Sequence, residues 1–262
     1  MKSVAAAARH CVAALMGGLM LVASSSLAKS AACSFESQGE GRVRAVIDAR
    51  TFRLEDGREV RLTGIESTAT DKAKGAAALS AIIAGRDVTL RGVDDAPDRY
   101  GRQPAFVFPE GSDTPVQSEL LSRGEALVSA EVTDRDCAGL LAAAEAGARQ
   151  AKKGTWADPT AIKNAESPGD ILAGIGRFTV VEGKVLSVRQ AGATTYLNFG
   201  RNWTQDFAVT ISRRMIPAFE AAGFGPKSLE NRRIRVRGFV ASRGGPRIEA
   251  LRVGQIEVLA GN

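Results

Sequence analysis

The sequence predicts a mainly-β protein with helices: a short-stranded barrel crossed by three helices, followed by a second small barrel. Three observations carry this reading. Short runs that alternate apolar and polar residues recur through the whole 262-residue chain, the pattern of half-buried strands. Helical patterns separate those runs mostly in the first half. A polar break with two prolines, ADPTAIKNAESPGD at 157–170, divides the chain. The composition, 44% hydrophobic and 24% charged, is ordinary for a globular protein, and the length suffices for two small cores.

Charge also divides the halves. Residues 40–158 hold 17 Lys/Arg against 20 Asp/Glu, a net of −3, whereas residues 174–262 hold 14 against 6, a net of +8. The basic surplus of the whole chain, +6, therefore belongs to the second half and permits a polyanionic partner there.

The N-terminus reads as an export signal. Lys2 and Arg9 precede the apolar run CVAALMGGLMLVA, and small residues follow, so residues 1–28 are expected to be a signal peptide cut after Ala28 or Ala32. A membrane anchor is the alternative, but the run is short for a span. The mature chain is expected to have no membrane span and to reside in the periplasm or outside the cell. Cys11 leaves with the signal. Cys33 and Cys137 remain, and in an oxidising compartment two cysteines suggest one disulfide; the alternative is two separate thiols. His10 is the single histidine. A mature chain without one excludes a Ser-His hydrolase and makes a histidine-rich metal site untenable.

Along the first half, GRVRAVIDA, TFRLEDG and REVRLTGI are strands, with Glu55-Asp56-Gly57-Arg58 as a hairpin turn in which Asp-Gly suits two positive-φ positions. AKGAAALSAIIAG is a helix stopped by Gly85. RDVTLRGV and YGRQPAFVF are two more strands, and TPVQSELLSRG is a short helix. DCAGLLAAAEAGARQAKKG is the longest helix, with Leu140, Leu141, Ala144 and Ala148 on one side and Gly154 as its expected stop.

These residues carry a family resemblance. VIDARTFRLEDG, VRLTGIE, DRYGR, LLAAAEAGARQAKKG and the Trp156 after it are similar, in that order, to the staphylococcal-nuclease-like (thermonuclease) domain. The resemblance covers residues 41–156 and implies an OB-type five-stranded barrel with three helices over 40–158. It also implies a chemistry. In such nucleases two carboxylates and a backbone carbonyl hold calcium, a glutamate positions water, and two arginines hold the phosphate. On this chain the phosphate arginines fall on Arg61 and Arg102, the second metal carboxylate on Glu66 and the carbonyl on Ser67. Arg50 stands where the first metal carboxylate belongs, and Ala69 stands at the water-activating glutamate. A fixed positive charge repels a hard cation that wants oxygen ligands, so Arg50 is expected to pair with Glu66 and fill the metal cavity.

The implied protein is an exported nuclease-fold chain with a degenerate calcium and catalytic site, without a cofactor. It is expected to bind nucleic acid or another polyanion without efficient cleavage. The first alternative is a secreted calcium-dependent phosphodiester endonuclease acting on DNA and RNA, with Arg61, Arg102 and Glu66 as its catalytic residues. The second is an envelope structural or protein-interaction module.

After a linker at 159–175, residues 176–262 form the second, basic unit. GRFTVVEGKVLSVRQAG, TTYLNFG, DFAVTIS, NRRIRVRGFVASRGG, PRIEAL and QIEVLA are strand-like, with RRMIPAFEAAGFG a helical insert. The phrases EGKVLSV, TYLNFG and IRVRGFV resemble nucleic-acid-binding OB folds. The opening Gly183-x-Val185-x-x-Val188 repeats Gly41-x-Val43-x-x-Val46 and suits the same bent first strand. In Arg232–Val240, alternation sends Ile234, Val236 and Val240 inward and places Arg233, Arg235, Arg237 and Phe239 on the other face. Such a row suits a single-stranded DNA or RNA groove, with Tyr196, Arg201 and Trp203 extending it. A solvated outer face is the alternative.

Overall fold

The computed structural model describes Met1, Cys33 and residues 35–260 except Thr70. The signal-peptide expectation at 1–28 lies outside these residues. From Cys33 onward the described chain packs as one compact unit.

Five strands close the first barrel: β1 (Glu36–Val46), β2 (Thr51–Leu54), β3 (Glu59–Leu62), β5 (Asp87–Gly92) and β6 (Gln103–Pro109), in the order β1-β2-β3-β6-β5. Only β3 and β6 run parallel. Alternation in TFRL and EVRL buries Phe52, Leu54, Val60 and Leu62 fully or nearly so. The short β4 (Ile65–Ser67) leaves the barrel to pair with β7 (Ala126–Val128). The three expected helices are α1 (Lys72–Ile83), α2 (Val116–Ser122) and α3 (Arg135–Gln150). Asp71 and Asp134 cap α1 and α3, each carboxylate accepting a backbone N–H at 2.8 Å and so satisfying a donor the helix leaves free.

Two local expectations need correction. Gly57 has φ +93° while Asp56 stays out of the positive-φ region. Gly57 N–H donates to Leu54 O at 3.1 Å and Leu54 N–H to Arg58 O at 2.9 Å. The connection is therefore a type I turn closed by a left-handed glycine, not a pair of positive-φ residues. Helix α3 ends before Gly154: Lys152 takes the left-handed conformation at φ +52°. Gly154 serves a backbone crossing instead, since a Cβ there would stand 2.4 Å from Arg123 O. The expected side of α3 does face inward, with Leu141 and Ala148 buried and Leu140 and Ala144 packed partly buried against the core; Cys137 and Glu145 are buried with them, so a glutamate that the sequence left unplaced lies inside. Cys137 bonds Cys33 as expected, at a sequence separation of 104.

The second sheet has eight strands: β8 (Ile162–Asn164), β9 (Phe178–Lys184), β10 (Ser187–Ala191), β11 (Thr194–Asn198), β12 (Ala208–Ser212), β13 (Arg233–Ser242), β14 (Pro246–Glu249) and β15 (Ile256–Val258). Its order is β10-β11-β12-β14-β13-β9-β8, with β15 also on β13. The predicted single strand over 176–192 breaks at Val185–Leu186 into β9 and β10. There Val185 N–H turns to Arg232 O and Leu186 N–H to Asn198 O. With β9 and β10 taken as halves of one bent strand, the ladder is cyclic and repeats the pairing order of the first barrel, including a parallel contact, β12 with β14. The shared glycine has a shared cause. A Cβ on Gly41 would press Leu54 at 3.0 Å and one on Gly183 would meet Phe199 at 2.9 Å, so each bent strand needs Gly where it crosses its core.

The expected linker is ordered. Strand β8 pairs in parallel with β9, α4 (Pro168–Leu172) follows, and Ala165 and Ile171 enter the second core. A third cluster, Leu127, Ala148, Trp156 and Val180 with Phe178 against it, joins the halves. Trp156, read from sequence only as a family marker, is thus buried where β7 and α3 meet β9.

Candidate functional site

A tight turn at Ile47–Thr51 builds the first part of the site. The amides of Ile47 and Asp48 both donate to Thr51 O, at 2.8 and 3.1 Å, and Asp48 Oδ1 accepts from Arg50 N at 2.8 Å. The turn delivers the Arg50 side chain to β4. Its Nη1 stands 2.6 Å from Glu66 Oε1 and donates to Ile65 O at 2.5 Å. Both side chains are largely covered, at 13% and 10% exposure. The expected pair is present, and the guanidinium touches one carboxylate and one backbone carbonyl. Burial pushes the Glu66 carboxyl above its usual range, and the Arg50 charge opposes that shift.

Arg61 lies on β3 between the buried Val60 and Leu62, so the pleat turns it away from the core. Burial and the nearby guanidiniums of Arg50 and Arg102 hold it below its ordinary value. Arg50, Arg61, Arg102, Glu66 and Asp48 thus share one electrostatic neighbourhood. Arg102 is fixed by Asp98: Oδ2 accepts from its Nε at 2.9 Å and its Nη2 at 2.7 Å, and Oδ1 from its backbone N at 3.1 Å. These bonds, first among them that from the Arg102 side chain, lower the Asp98 pKa to about 2. The Arg102 guanidinium also lies 4.8 Å from the ring centre of exposed Tyr100. Ser67 Oγ accepts from Ala69 N at 3.1 Å, and Ala69 packs close to where a Cβ on Gly75 would stand.

The arginine row on β13 forms as predicted but is spent on carboxylates. Arg235 binds Glu182 through Nε at 2.8 Å and Glu257 through Nη1 at 2.7 Å. Arg237 is buried and binds Glu145 of α3 at 2.6 Å and Val128 O at 3.2 Å. Arg233 is exposed, 3.7 Å from Glu182. Phe239 is 56% exposed and meets Phe178 edge-on at 5.3 Å. The groove expected along this row is therefore closed at Arg235 and Arg237, because the row faces the first barrel and acidic strand neighbours. The other expected residues fare differently. Tyr196, Arg201 and Trp203 line one open hollow of about 820 Å³, Tyr196 also shares a neighbouring hollow with Phe239 at the end of the row, and Trp203 is 75% exposed.

The closed barrel with its parallel contact, three helices and arginines flanking Glu66 defines a nuclease-fold protein. The family model described as staphylococcal nuclease homologue matches residues 59–158, a stretch that includes strands β3, β5 and β6 of the closed barrel. No curated protein matches the chain. The match stops before the second sheet, which stands on its own geometry.

Proposed function

We propose that this is an exported nuclease-fold protein that binds nucleic acid through phosphate contacts and does not cleave it efficiently. The Arg50–Glu66 contact at 2.6 Å carries the reading. Calcium wants several oxygens around it. Here the carboxylate of Glu66 and the carbonyl of Ile65 already hold a guanidinium, and Asp48 Oδ1 accepts a backbone amide. The residues do not fit the ion, since a fixed cation takes its place. Ala69 adds no proton acceptor. Losing a general base alone costs about 10²- to 10⁴-fold in rate.

What survives is phosphate recognition. Arg61 has no carboxylate partner among the described residues, and Arg102 is held in a fixed orientation by Asp98. A planar guanidinium matches phosphate oxygens in pairs. The ligand class is DNA or RNA, or another polyanion. The disulfide supports export to an oxidising compartment, and no described helix is long and apolar enough to cross a membrane.

The test is incubation of the mature protein with single-stranded DNA, with and without calcium. The reading expects no cleavage in either case and salt-sensitive binding. Arg61→Ala or Arg102→Ala should lower the salt slope by about one each. Calcium-dependent cleavage lost in Glu66→Ala would establish the endonuclease instead.

A further inference from the structure

The hollow around Trp203 differs from the arginine row in one decisive respect: its cations are free. Arg189, Arg201 and Arg247 line it together with Tyr196 and Trp203, and no Asp or Glu lines it. Among the described residues none of these three arginines forms an ion pair. Arg233, Arg235 and Arg237 on β13 all do.

The geometry is built rather than incidental. Arg189 and Tyr196 are directly opposed between β10 and β11, so their side chains share one face of the sheet. The Arg247 guanidinium stands 5.4 Å from the Tyr196 ring centre and donates through Nη2 to Arg243 O at 2.8 Å; its buried Nε has no partner. Trp203 is displayed by a braced loop. Asn202 N donates to Asp206 Oδ2 at 2.7 Å, Asp206 N to Asn202 O at 2.8 Å, and Thr204 Oγ1 to Asn202 Oδ1 at 2.6 Å. These bonds fix the loop around the indole before any ligand arrives, and preorganisation lowers the cost of binding. A large aromatic held in water beside unpaired guanidiniums is unexplained by packing.

We propose that this hollow is a binding groove for single-stranded nucleic acid, with Trp203 and Tyr196 stacking bases and Arg189, Arg201 and Arg247 taking phosphates. This rests on the nucleic-acid reading above and gives it a second site and a strand form. A single strand offers both a polyanionic backbone and open π faces, which is the chemistry of this lining. A duplex keeps its bases stacked inside, and a polyanion without rings leaves the aromatics idle. Tyr196 and Arg247 also line the neighbouring hollow, about 520 Å³, which Glu66 of the first barrel borders. The groove therefore opens towards the first-barrel site.

Tryptophan fluorescence tests this directly, because Trp203 is exposed and Trp156 is buried. Mature protein is titrated with a deoxythymidine oligonucleotide, with the matching duplex, and with inorganic polyphosphate. The expected result is saturable quenching by the single strand and weaker binding of the other two. Because Trp203→Ala removes the reporter, the variants are read by anisotropy of a labelled oligonucleotide with polyphosphate as competitor: Trp203→Ala and Tyr196→Ala should each weaken the single strand about 5- to 100-fold and leave polyphosphate affinity unchanged. Unchanged far-ultraviolet circular dichroism verifies that the variants fold.

Equal affinity for polyphosphate, or an oligonucleotide affinity indifferent to both aromatic variants, overturns the proposal. If Arg61→Ala and Arg102→Ala weaken binding while the aromatic variants do not, the groove falls and the first-barrel reading stands. The reverse pattern keeps the groove and removes phosphate binding from the first barrel.

Discussion

Replacing Arg237 by alanine should unlock the two halves of the molecule. Arg237 is the one member of the β13 row that reaches into α3, where Glu145 is 1% exposed. Its guanidinium binds Glu145 Oε2 at 2.6 Å and Val128 O at 3.2 Å, while Glu145 Oε1 has no partner. Removing the cation leaves a buried carboxylate without its counter-charge and a carbonyl without a donor. Breaking such a pair from one side costs about 3–5 kcal/mol. At about 2–4 °C of Tm per kcal/mol for a unit of this size, the loss is about 6–20 °C. The assay is urea and thermal unfolding of the single variant beside the double variant Arg237→Met/Glu145→Leu. Removing both charges and filling the space with apolar atoms should restore most of the stability, since well-packed apolar replacements of a buried pair are often neutral or better. A single variant within about 0.5 kcal/mol of the parent would mean that the pair behaves as an exposed surface pair does and does not lock the halves. A double variant as unstable as the single one would show that packing, not uncompensated charge, is the cause.

Other predictions follow from the same geometry. Asp98 should titrate at about 2 by carboxyl NMR and return towards its ordinary value in Arg102→Ala. Because the folded pKa is depressed, the pair's stabilisation is present above about pH 4 and lost as pH falls towards 2, a loss the Arg102→Ala variant should not show. Reducing Cys33–Cys137, which closes a loop of 104 residues in sequence separation, should cost about 2–5 kcal/mol in urea unfolding. Arg50→Asp would set two carboxylates face to face at β4. Its Tm should fall without calcium and recover when calcium is added, while the parent is indifferent to the ion.

The barrel was legible in the sequence because its strands alternate cleanly and its helices carry their own stop signals; Gly85, at φ +67°, follows α1 as predicted. The bent strand was legible from Gly41 and Gly183, since a glycine at a core crossing leaves a mark in sequence. The Arg50–Glu66 pair was legible only through the family resemblance, which placed two residues 16 positions apart around one cavity. The partners of the β13 arginines were not legible. Alternation gives the face a side chain takes, but not what stands opposite. Glu182, Glu257 and Glu145 come from another strand, a terminal strand and a helix of the other barrel. Glu145 sits on the same side of α3 as Leu141 and Ala148, yet a charged residue in an apolar stripe carries no local sign of its partner. The 159–175 segment misled for a similar reason. Its two buried side chains, Ala165 and Ile171, are too sparse to reveal a strand pairing that the second sheet imposes.

Whether a guanidinium holds the place of a divalent ion is decided by calorimetric titration of calcium into the mature protein, run alongside a single-stranded DNA turnover assay. With Arg50 seated on Glu66, the titration should give no binding heat at the barrel site and the assay no released fragments with or without the ion. Stoichiometric calcium uptake that vanishes in Glu66→Ala, together with calcium-dependent fragments, would contradict that expectation.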